Sequence, residues 1–235
     1  MGSVTDDTVA HDTVTGDTVT GDTGPGCPAA DRAGAGSTGS GRTGPGGACA
    51  VTIRDARPDE LAAVGEIRVG AYVAGGFLSP DAGYAPRLRA LGGTGEGTVL
   101  VAIAGAGVGG EDEGTADRGA PAADGGRIVG TVMLVMPPQT SEIAAPDEAE
   151  IRALAVTPGT QGMGVGRALL QAVLDRAARH GARAMVLSTQ QEMHAAHRLY
   201  ERAGFTRQPA RDWSPEPGLT LLAYQLTLPA SGGPL

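Results

Sequence analysis

A mostly apolar run, a glycine-rich turn and an amphipathic helix together constrain this chain more than any other feature. Residues 149–156 predict a buried strand, and Gln161-Gly-Met-Gly-Val-Gly-Arg follows it and opens a helix. Gly162, Gly164 and Gly166 lack a Cβ atom, so the backbone can approach a ligand and turn several N–H groups towards it. Because the positive end of the helix dipole lies behind them, these residues favour a diphosphate as the ligand.

Two familiar phosphate-binding motifs do not fit this turn. A dinucleotide-binding fingerprint needs a third glycine at the position of Arg167. A P-loop needs a lysine, and the chain contains none. On composition alone, a glycine-rich turn with a purely structural role is as good an interpretation as a ligand site.

The remaining chain alternates between strand-like and helix-like patterns, which indicates an α/β fold with a mixed sheet. Strands are predicted at residues 51–54, 98–104, 128–136, 149–156, 184–188 and 219–228. Helices are predicted at residues 61–72, 84–91, 164–180 and 193–203.

Three segments are predicted to lie outside the folded core. Residues 1–49 repeat Asp-Thr-Val-Thr-Gly and contain no aromatic residue, Leu or Ile, so they predict a disordered low-complexity tail. Residues 105–126 are rich in glycine and acidic residues and predict a loop insertion within a folded domain at residues 50–229. Residues 230–235 are predicted to be a short C-terminal tail.

The net charge of −8 comes from residues 1–49 and 105–126, so the predicted core is close to neutral. A neutral core argues against a nucleic-acid-binding face, which needs clustered positive charge. Cys27 and Cys49 both lie in the tail and do not indicate a disulfide framework. The longest apolar run, 128–136, is too short to span a bilayer, and no secretory signal is visible, so we expect no membrane partner and a cytoplasmic protein.

The segment from Glu150 to Phe205 resembles the GCN5-related N-acetyltransferase (GNAT) family. Gln161, Gly164 and Gly166 match that family's Q/R-x-x-G-x-G/A pyrophosphate motif, and residues 196–205 look like its A-x-x-L-Y-x-x-x-G-F signature. The resemblance extends more weakly over residues 51–228. It implies one domain with a mixed, mostly antiparallel sheet, splayed central strands and flanking helices.

The resemblance implies acetyl-CoA as co-substrate, with no metal. Its pantetheine arm would lie against the strand end at Leu154 and Val156, and the N–H groups of the glycine turn would hold its pyrophosphate. Met193 stands where the family often has an Asn that helps to hold the cofactor, and it cannot make the same hydrogen bonds. The implied cofactor residues are Leu154, Ala155, Val156, Gln161, Gly162, Met163, Gly164, Val165, Gly166, Arg167, Ala168 and Ala196.

Tyr200 and Glu150 are the catalytic residues that the resemblance implies. Tyr200 matches the family tyrosine that faces the CoA sulfur, where it would act as general acid; the alternative is an aromatic residue of the core. Glu150 stands where some members place a general base that acts through water; the alternative is a carboxylate at a strand start, facing solvent. His194 and His197 are expected to be solvated rather than to bind a metal.

The function implied is transfer of an acetyl group to a primary amine by direct attack within a ternary complex. The acceptor would be a small-molecule or peptide amine, and a homodimer fits the resemblance. One alternative is a non-catalytic acyl-CoA-binding sensor or regulatory domain of the same fold. Another is transfer of an acyl group other than acetyl.

Overall fold

The computed structural model of the chain describes residues 51–79, 83–93, 95–105, 119–138, 141, 143–216 and 218–229. The predictions made for residues 1–49, for most of 105–126 and for 230–235 lie outside these ranges.

The described residues form strands and helices close to the predicted positions. The strands are β1 (Val51–Asp55), β2 (Thr98–Ala104), β3 (Ala120–Pro121), β4 (Arg127–Val135), β5 (Glu148–Val156), β6 (Ala184–Gln190), β7 (Thr206–Arg207), β8 (Trp213–Glu216) and β9 (Leu219–Thr227). The helices are α1 (Leu61–Ala74), α2 (Ala85–Ala90), α3 (Val165–Arg179) and α4 (His194–Arg202).

One sheet joins all of these strands in the order β1-β2-β4-β5-β6-β9-β7, with β3 beside β4 and β8 beside β9. The β5–β6 pair is parallel and every other pair is antiparallel. The connection between the two parallel strands runs through α3, as a parallel pair requires. The predicted mixed, mostly antiparallel α/β architecture is confirmed.

Three short strands were not predicted. β3 lies inside the predicted insertion at residues 105–126, where Ala120 and Pro121 pair with Ile128 and Arg127. β7 and β8 pair with β9, and β8 contains Pro215. Strands this short lack a readable periodicity of their own, and the neighbouring strand supplies their hydrogen bonds.

Helix α3 packs against β4 and β5 through a continuous apolar stripe. Gly130 of β4 permits this approach, because a Cβ atom there would lie 3.0 Å from Val165 and 3.1 Å from Leu169. Gly181, with a φ of 79°, follows the end of the helix. The buried stripe comprises Val165, Leu169, Leu170, Val173, Leu174 and Ala177.

The beginning of β5 is fastened by a buried carboxylate. The side chain of Glu148 is fully buried and accepts hydrogen bonds from Arg211 Nη1 (2.7 Å), Arg183 Nη2 (3.0 Å), Gln225 Nε2 (2.7 Å) and the Ala145 N–H (3.0 Å). Burial opposes ionisation of this carboxyl, but the arginines and the backbone donor outweigh it, so the pKa of Glu148 lies below its ordinary value. These bonds tie β5 to β9 and to the segment before β8.

Candidate functional site

The central strands separate beyond the middle of β5. The parallel pairing of β5 and β6 runs from Glu148–Ala184 to Ile151–Leu187 and ends there. Beyond that point β5 continues beside β4, and the last residues of β6, 188–190, pair with β9. A gap therefore opens between residues 152–156 and residues 188–190, and the predicted splay of the central strands is confirmed.

A β-bulge at Ala153 accompanies this separation. Met133 of β4 faces Arg152 and Thr131 faces Ala155, so β5 has one residue more than its partner in this interval. Ala153 has a φ of 48°, which costs a non-glycine residue roughly 1–3 kcal/mol. A bulge bends the strand that carries it. The bend occurs immediately before Leu154, Ala155 and Val156, the predicted pantetheine-binding residues.

The glycine turn lies between this bent strand and α3. Gly162 and Gly164 have φ values of 74° and 85°, and a Cβ atom on either would meet no other atom within 4 Å. These glycines therefore serve the backbone conformation and leave open space beside it. Gly164 is the N-cap of α3 and no side chain caps the helix, so the N–H groups of the first turn are available to an anion.

A cavity of about 590 Å³ lies against this turn, and both α3 and α4 border it. Met163, Ala168, Leu154, Ala155 and Ala196 are not among its lining residues. The predicted cofactor residues that line it are Val156, Gln161, Gly162, Gly164, Val165, Gly166 and Arg167.

Arg202 was missed by the sequence analysis and lines the same cavity from the last turn of α4. It shares that wall with Leu199 and Ala203. Positions three and four apart on a helix lie on one face, so the spacing of these three residues could have indicated it. Together with Arg167 of α3, Arg202 brings positive charge to the two sides of the cavity.

Tyr200 is fully buried in an aromatic cluster beside the cavity. Its ring centroid lies 5.7 Å from that of Phe205 and 6.4 Å from that of Tyr224. The cavity wall is formed instead by Leu199, its neighbour on α4. Tyr200 itself does not line the cavity, and its general-acid role stays a prediction.

Glu150 does not face solvent, so the alternative of a solvent-exposed carboxylate at a strand start is wrong. Its side chain is fully buried, and Oε2 accepts a hydrogen bond from Arg152 Nε at 3.0 Å and lies 3.0 Å from Arg152 Nη2 in the same ion pair. Residues two apart on a strand point to the same face, which makes this pairing local. The pair lies just before the bulge at Ala153, where β5 leaves β6. A base role for Glu150 stays a prediction.

His197 was expected to be solvated, but it is partly covered by the protein. It is half-buried, its Nε2 lies 3.0 Å from the Gln190 carbonyl oxygen, and its ring centroid lies 5.6 Å from that of Tyr224. Burial lowers the pKa of His197, which favours the neutral ring. His194 is exposed, as predicted.

Within the described ranges, no group of three or more His, Cys, Asp or Glu residues is arranged to hold a metal ion. Over the same ranges, the helices are all too short or too polar to cross a bilayer.

Residues 110–205 match the sequence model of the acetyltransferase (GNAT) family. A mycothiol acetyltransferase of Geodermatophilus obscurus is 38% identical over 85 residues, which are 36% of this chain and 27% of that protein. The aligned part of the chain thus spans about a quarter of the length of the curated relatives that it matches.

The fold is similar to those of solved acetyltransferases. A GNAT-family acetyltransferase of Staphylococcus aureus Mu50 superposes with a TM-score of 0.55 at 17% identity, over 77% of this chain and all of that one. A GNAT-superfamily phosphinothricin acetyltransferase of Sinorhizobium meliloti, solved with acetyl-CoA, superposes with a TM-score of 0.50 at 20% identity, over 76% of this chain and 88% of that one. At such identities the likeness concerns the fold.

Proposed function

We propose that this chain, which contains a domain of the acetyltransferase (GNAT) family, transfers an acetyl group from acetyl-CoA to a primary amine. The observation that carries the proposal is the conjunction of three features at one end of β5: the gap between β5 and β6, the bulge at Ala153 and the uncapped start of α3. Together they offer an extended channel for the pantetheine arm and a cluster of N–H groups for a diphosphate.

The cofactor would be held mainly by backbone. Gly162, Gly164 and the first turn of α3 present N–H groups beside the cavity, where the helix dipole also favours negative charge. Arg167 and Arg202 would add side-chain charge for phosphate groups. The arm would then run along residues 154–156 as an added strand edge, with its thioester near the opening between β5 and β6. Acetyl-CoA is also the ligand in the Sinorhizobium enzyme of similar fold.

The proposed chemistry is direct attack of the amine on the thioester within a ternary complex. The ammonium form of the acceptor must lose a proton, and the departing thiolate is stabilised when it gains one. Tyr200 would supply that proton, which requires its buried hydroxyl to become accessible to the CoA sulfur when the cofactor binds. Glu150, which accepts a hydrogen bond from Arg152, would accept the acceptor's proton through water.

A non-catalytic acyl-CoA sensor is the second candidate. The observation that favours it is the burial of both Tyr200 and Glu150, because neither side chain reaches solvent. A sensor would need the cavity and the glycine turn but no access to these two groups.

The acceptor is proposed to be a small-molecule or peptide amine in the cytoplasm, where acetyl-CoA is available. Mycothiol acetyltransferases, to which part of the chain is similar, form one reference class for choosing acceptors. A homodimer is also proposed, and sedimentation velocity of the full chain tests it.

The test combines calorimetric titration of acetyl-CoA into the full chain with a thiol-release assay over a panel of primary amines. We expect binding, turnover on at least one amine, and a loss of about 100-fold in kcat for Tyr200→Phe, with acetyl-CoA affinity unchanged. Tyr224→Phe is the matched control, since Tyr224 belongs to the same aromatic cluster and is expected to be dispensable.

The two candidates separate cleanly in this experiment. Binding without turnover on any amine would favour the sensor. Absence of acetyl-CoA binding would rule out both, because each requires the turn at residues 161–166 to hold a diphosphate.

A further inference from the structure

Arg68, in the middle of α1, is fully buried without a carboxylate partner among the described residues. Its Nη1 donates to the Leu91 carbonyl oxygen at 2.6 Å. Its Nε and Nη2 are also buried, and no described group accepts a hydrogen bond from them. A buried guanidinium with two unused donor atoms is unusual, because isolated buried charge is strongly unfavourable.

The surroundings of Arg68 are aromatic rather than acidic. The titratable groups that act on its charge are the phenols of Tyr72 and Tyr84, on α1 and at the start of α2. Burial lowers the pKa of Arg68 to about 10, so the side chain is still a cation at neutral pH. Tyr72 is fully buried and Tyr84 is only partly buried. Of the two tyrosines around Arg68, Tyr84 is therefore the one closer to solvent.

The other buried arginine of the described chain provides a contrast. Arg152 is almost as deeply buried as Arg68 but forms an ion pair with Glu150, whose Oε2 lies 3.0 Å from both Nε and Nη2, the same two atoms that Arg68 leaves unused. A guanidinium presents these two N–H groups in the parallel geometry that a carboxylate accepts. The positions around Arg68 therefore lack the anion that Arg152 has.

Helix α1 connects Arg68 to the proposed reaction site. The helix packs against β4 and β5, and β5 carries the bulge and the residues proposed to line the pantetheine arm. Arg68 thus lies on a helix that contacts both α2 and the strand proposed to hold the pantetheine arm.

We propose that Arg68 recognises a carboxylate of the acceptor, so that the substrates of this chain are amines that also bear a carboxylate, such as amino acids. This inference rests on the proposed acetyltransferase function. The carboxylate would accept the N–H groups of Nε and Nη2, and Tyr72 and Tyr84 would border it. Arg68 would place the amine without taking part in proton transfer.

A structural role for Arg68 is the competing explanation. The Leu91 carbonyl follows the last turn of α2, and a cation there would stabilise that helix end. In that case removal of Arg68 would destabilise the chain and affect every acceptor alike.

The test compares L-amino acids with their primary amides as acceptors, for the wild type and for Arg68→Met. The amide keeps the amine and the side chain but has no negative charge. We expect the wild type to prefer the acids by about 100-fold in kcat/KM. In Arg68→Met, kcat/KM should fall about 100-fold for the acids and change by less than about 3-fold for the amides. The affinity for acetyl-CoA should be unchanged.

Arg89→Gln is the matched control, because Arg89 joins α1 to α2 through an exposed ion pair with Glu66 at 2.7 Å. It should leave the preference for acids intact. Arg68→Lys keeps the positive charge but loses the paired N–H groups of the guanidinium, so it should retain part of the preference for acids over amides. It replaces Arg68→Met if that variant does not fold. Equal use of acids and amides by the wild type, or equal losses on both in the Arg68 variants, would overturn the proposal.

A direct binding measurement separates this proposal from the proposed function. If no amine is acetylated, the acetyltransferase proposal fails, and calorimetry with chain loaded with acetyl-CoA decides the role of Arg68 by itself. Binding of an amino acid but not of its amide, abolished in Arg68→Met or weakened in Arg68→Lys, would support the carboxylate site. Absence of such selective binding would refute it.

Discussion

The two ends of β5 differ in how many of their polar groups form hydrogen bonds within the chain. At the first end, Glu148 is fully buried and bonded to two arginines, a glutamine and a backbone N–H, and the strand pairs with β6. At the other end, β5 leaves β6 after Ile151, Ala153 adopts a left-handed φ, and the turn beyond leads to an uncapped helix start.

The difference fits a scaffold role for the first end and the proposed cofactor-binding role for the other. Polar groups that are satisfied inside the fold have nothing further to offer, whereas strained backbone and unused donors persist only where the surrounding structure holds them in place. The saturated end can therefore fix the position of β5, while the open end would receive the proposed cofactor. Stability and cofactor affinity should respond to changes at different ends.

Glu148→Gln should have the largest effect and should act on stability alone. The amide places an N–H group among donors and removes the charge that Arg183 and Arg211 neutralise. We expect a loss of about 2 kcal/mol in the free energy of unfolding. The loss stays below that for a fully buried ion pair, because both arginines are partly exposed and can regain water.

Urea denaturation measures this loss, and calorimetry measures the affinity for acetyl-CoA. Glu66→Gln, which breaks an exposed ion pair, is the control and should change stability by less than about 0.5 kcal/mol. A clear drop in acetyl-CoA affinity in Glu148→Gln would show that the two ends of β5 are coupled, and the comparison would fail.

Gly164→Ala should have an intermediate effect and should act mainly on the open end. Its φ of 85° disfavours a residue with a Cβ atom, so the turn would relax and the N–H groups at the start of α3 would shift. We expect the dissociation constant of acetyl-CoA to rise about 10-fold.

Gly181→Ala is the matched control for this change. Gly181 has a φ of 79° and lies beyond the other end of the same helix. Both substitutions should lower the free energy of unfolding by about 1 kcal/mol, but only Gly164→Ala should weaken binding. Equal effects on affinity would mean that strain in α3, rather than the local N–H geometry, controls the site.

The pH dependence of stability should give the smallest effect. The pKa of Glu148 is lowered on folding, so its contribution is complete above about pH 4.5, its ordinary value, and is lost as the pH falls through the lowered value. Glu60 behaves in the same way, since Arg54 lowers its pKa to about 2. Glu148→Gln should therefore lose less stability than the wild type between pH 5 and pH 3, while retaining the part due to Glu60.

Unfolding free energies at several pH values, for the wild type, Glu148→Gln and Glu66→Gln, test this expectation. Glu66→Gln should follow the wild type. Parallel curves for all three proteins would show that the charge of Glu148 adds nothing to stability.

The sequence allowed most of the architecture and half of the site to be predicted. The apolar periodicity of 149–156 and 164–180 predicted β5 and α3 to within one residue at each end. Glycines at 162 and 164 predicted the backbone turn, and the observed positive φ values agree. These features are local, since each depends on residues adjacent in the chain.

Other features depend on residues that are distant in the chain and were missed or misjudged. Arg202 reaches the cavity only because α4 packs beside α3. His197 was expected to be solvated, but the return of β9 covers it with Tyr224. The strands β7 and β8 exist because β9 offers them hydrogen bonds.

The sequence by itself determined where the chain forms its longer strands and helices and where the glycine turn bends, because local backbone sterics and periodic apolar residues fix these choices. Only the tertiary structure decided that β5 parts from β6 at Ile151 and that Glu148 is saturated. It also decided that Arg68 is buried without an anion among the described residues. Burial and the identity of hydrogen-bond partners are set by segments far apart in the chain, and a single sequence does not encode those distances in any readable pattern.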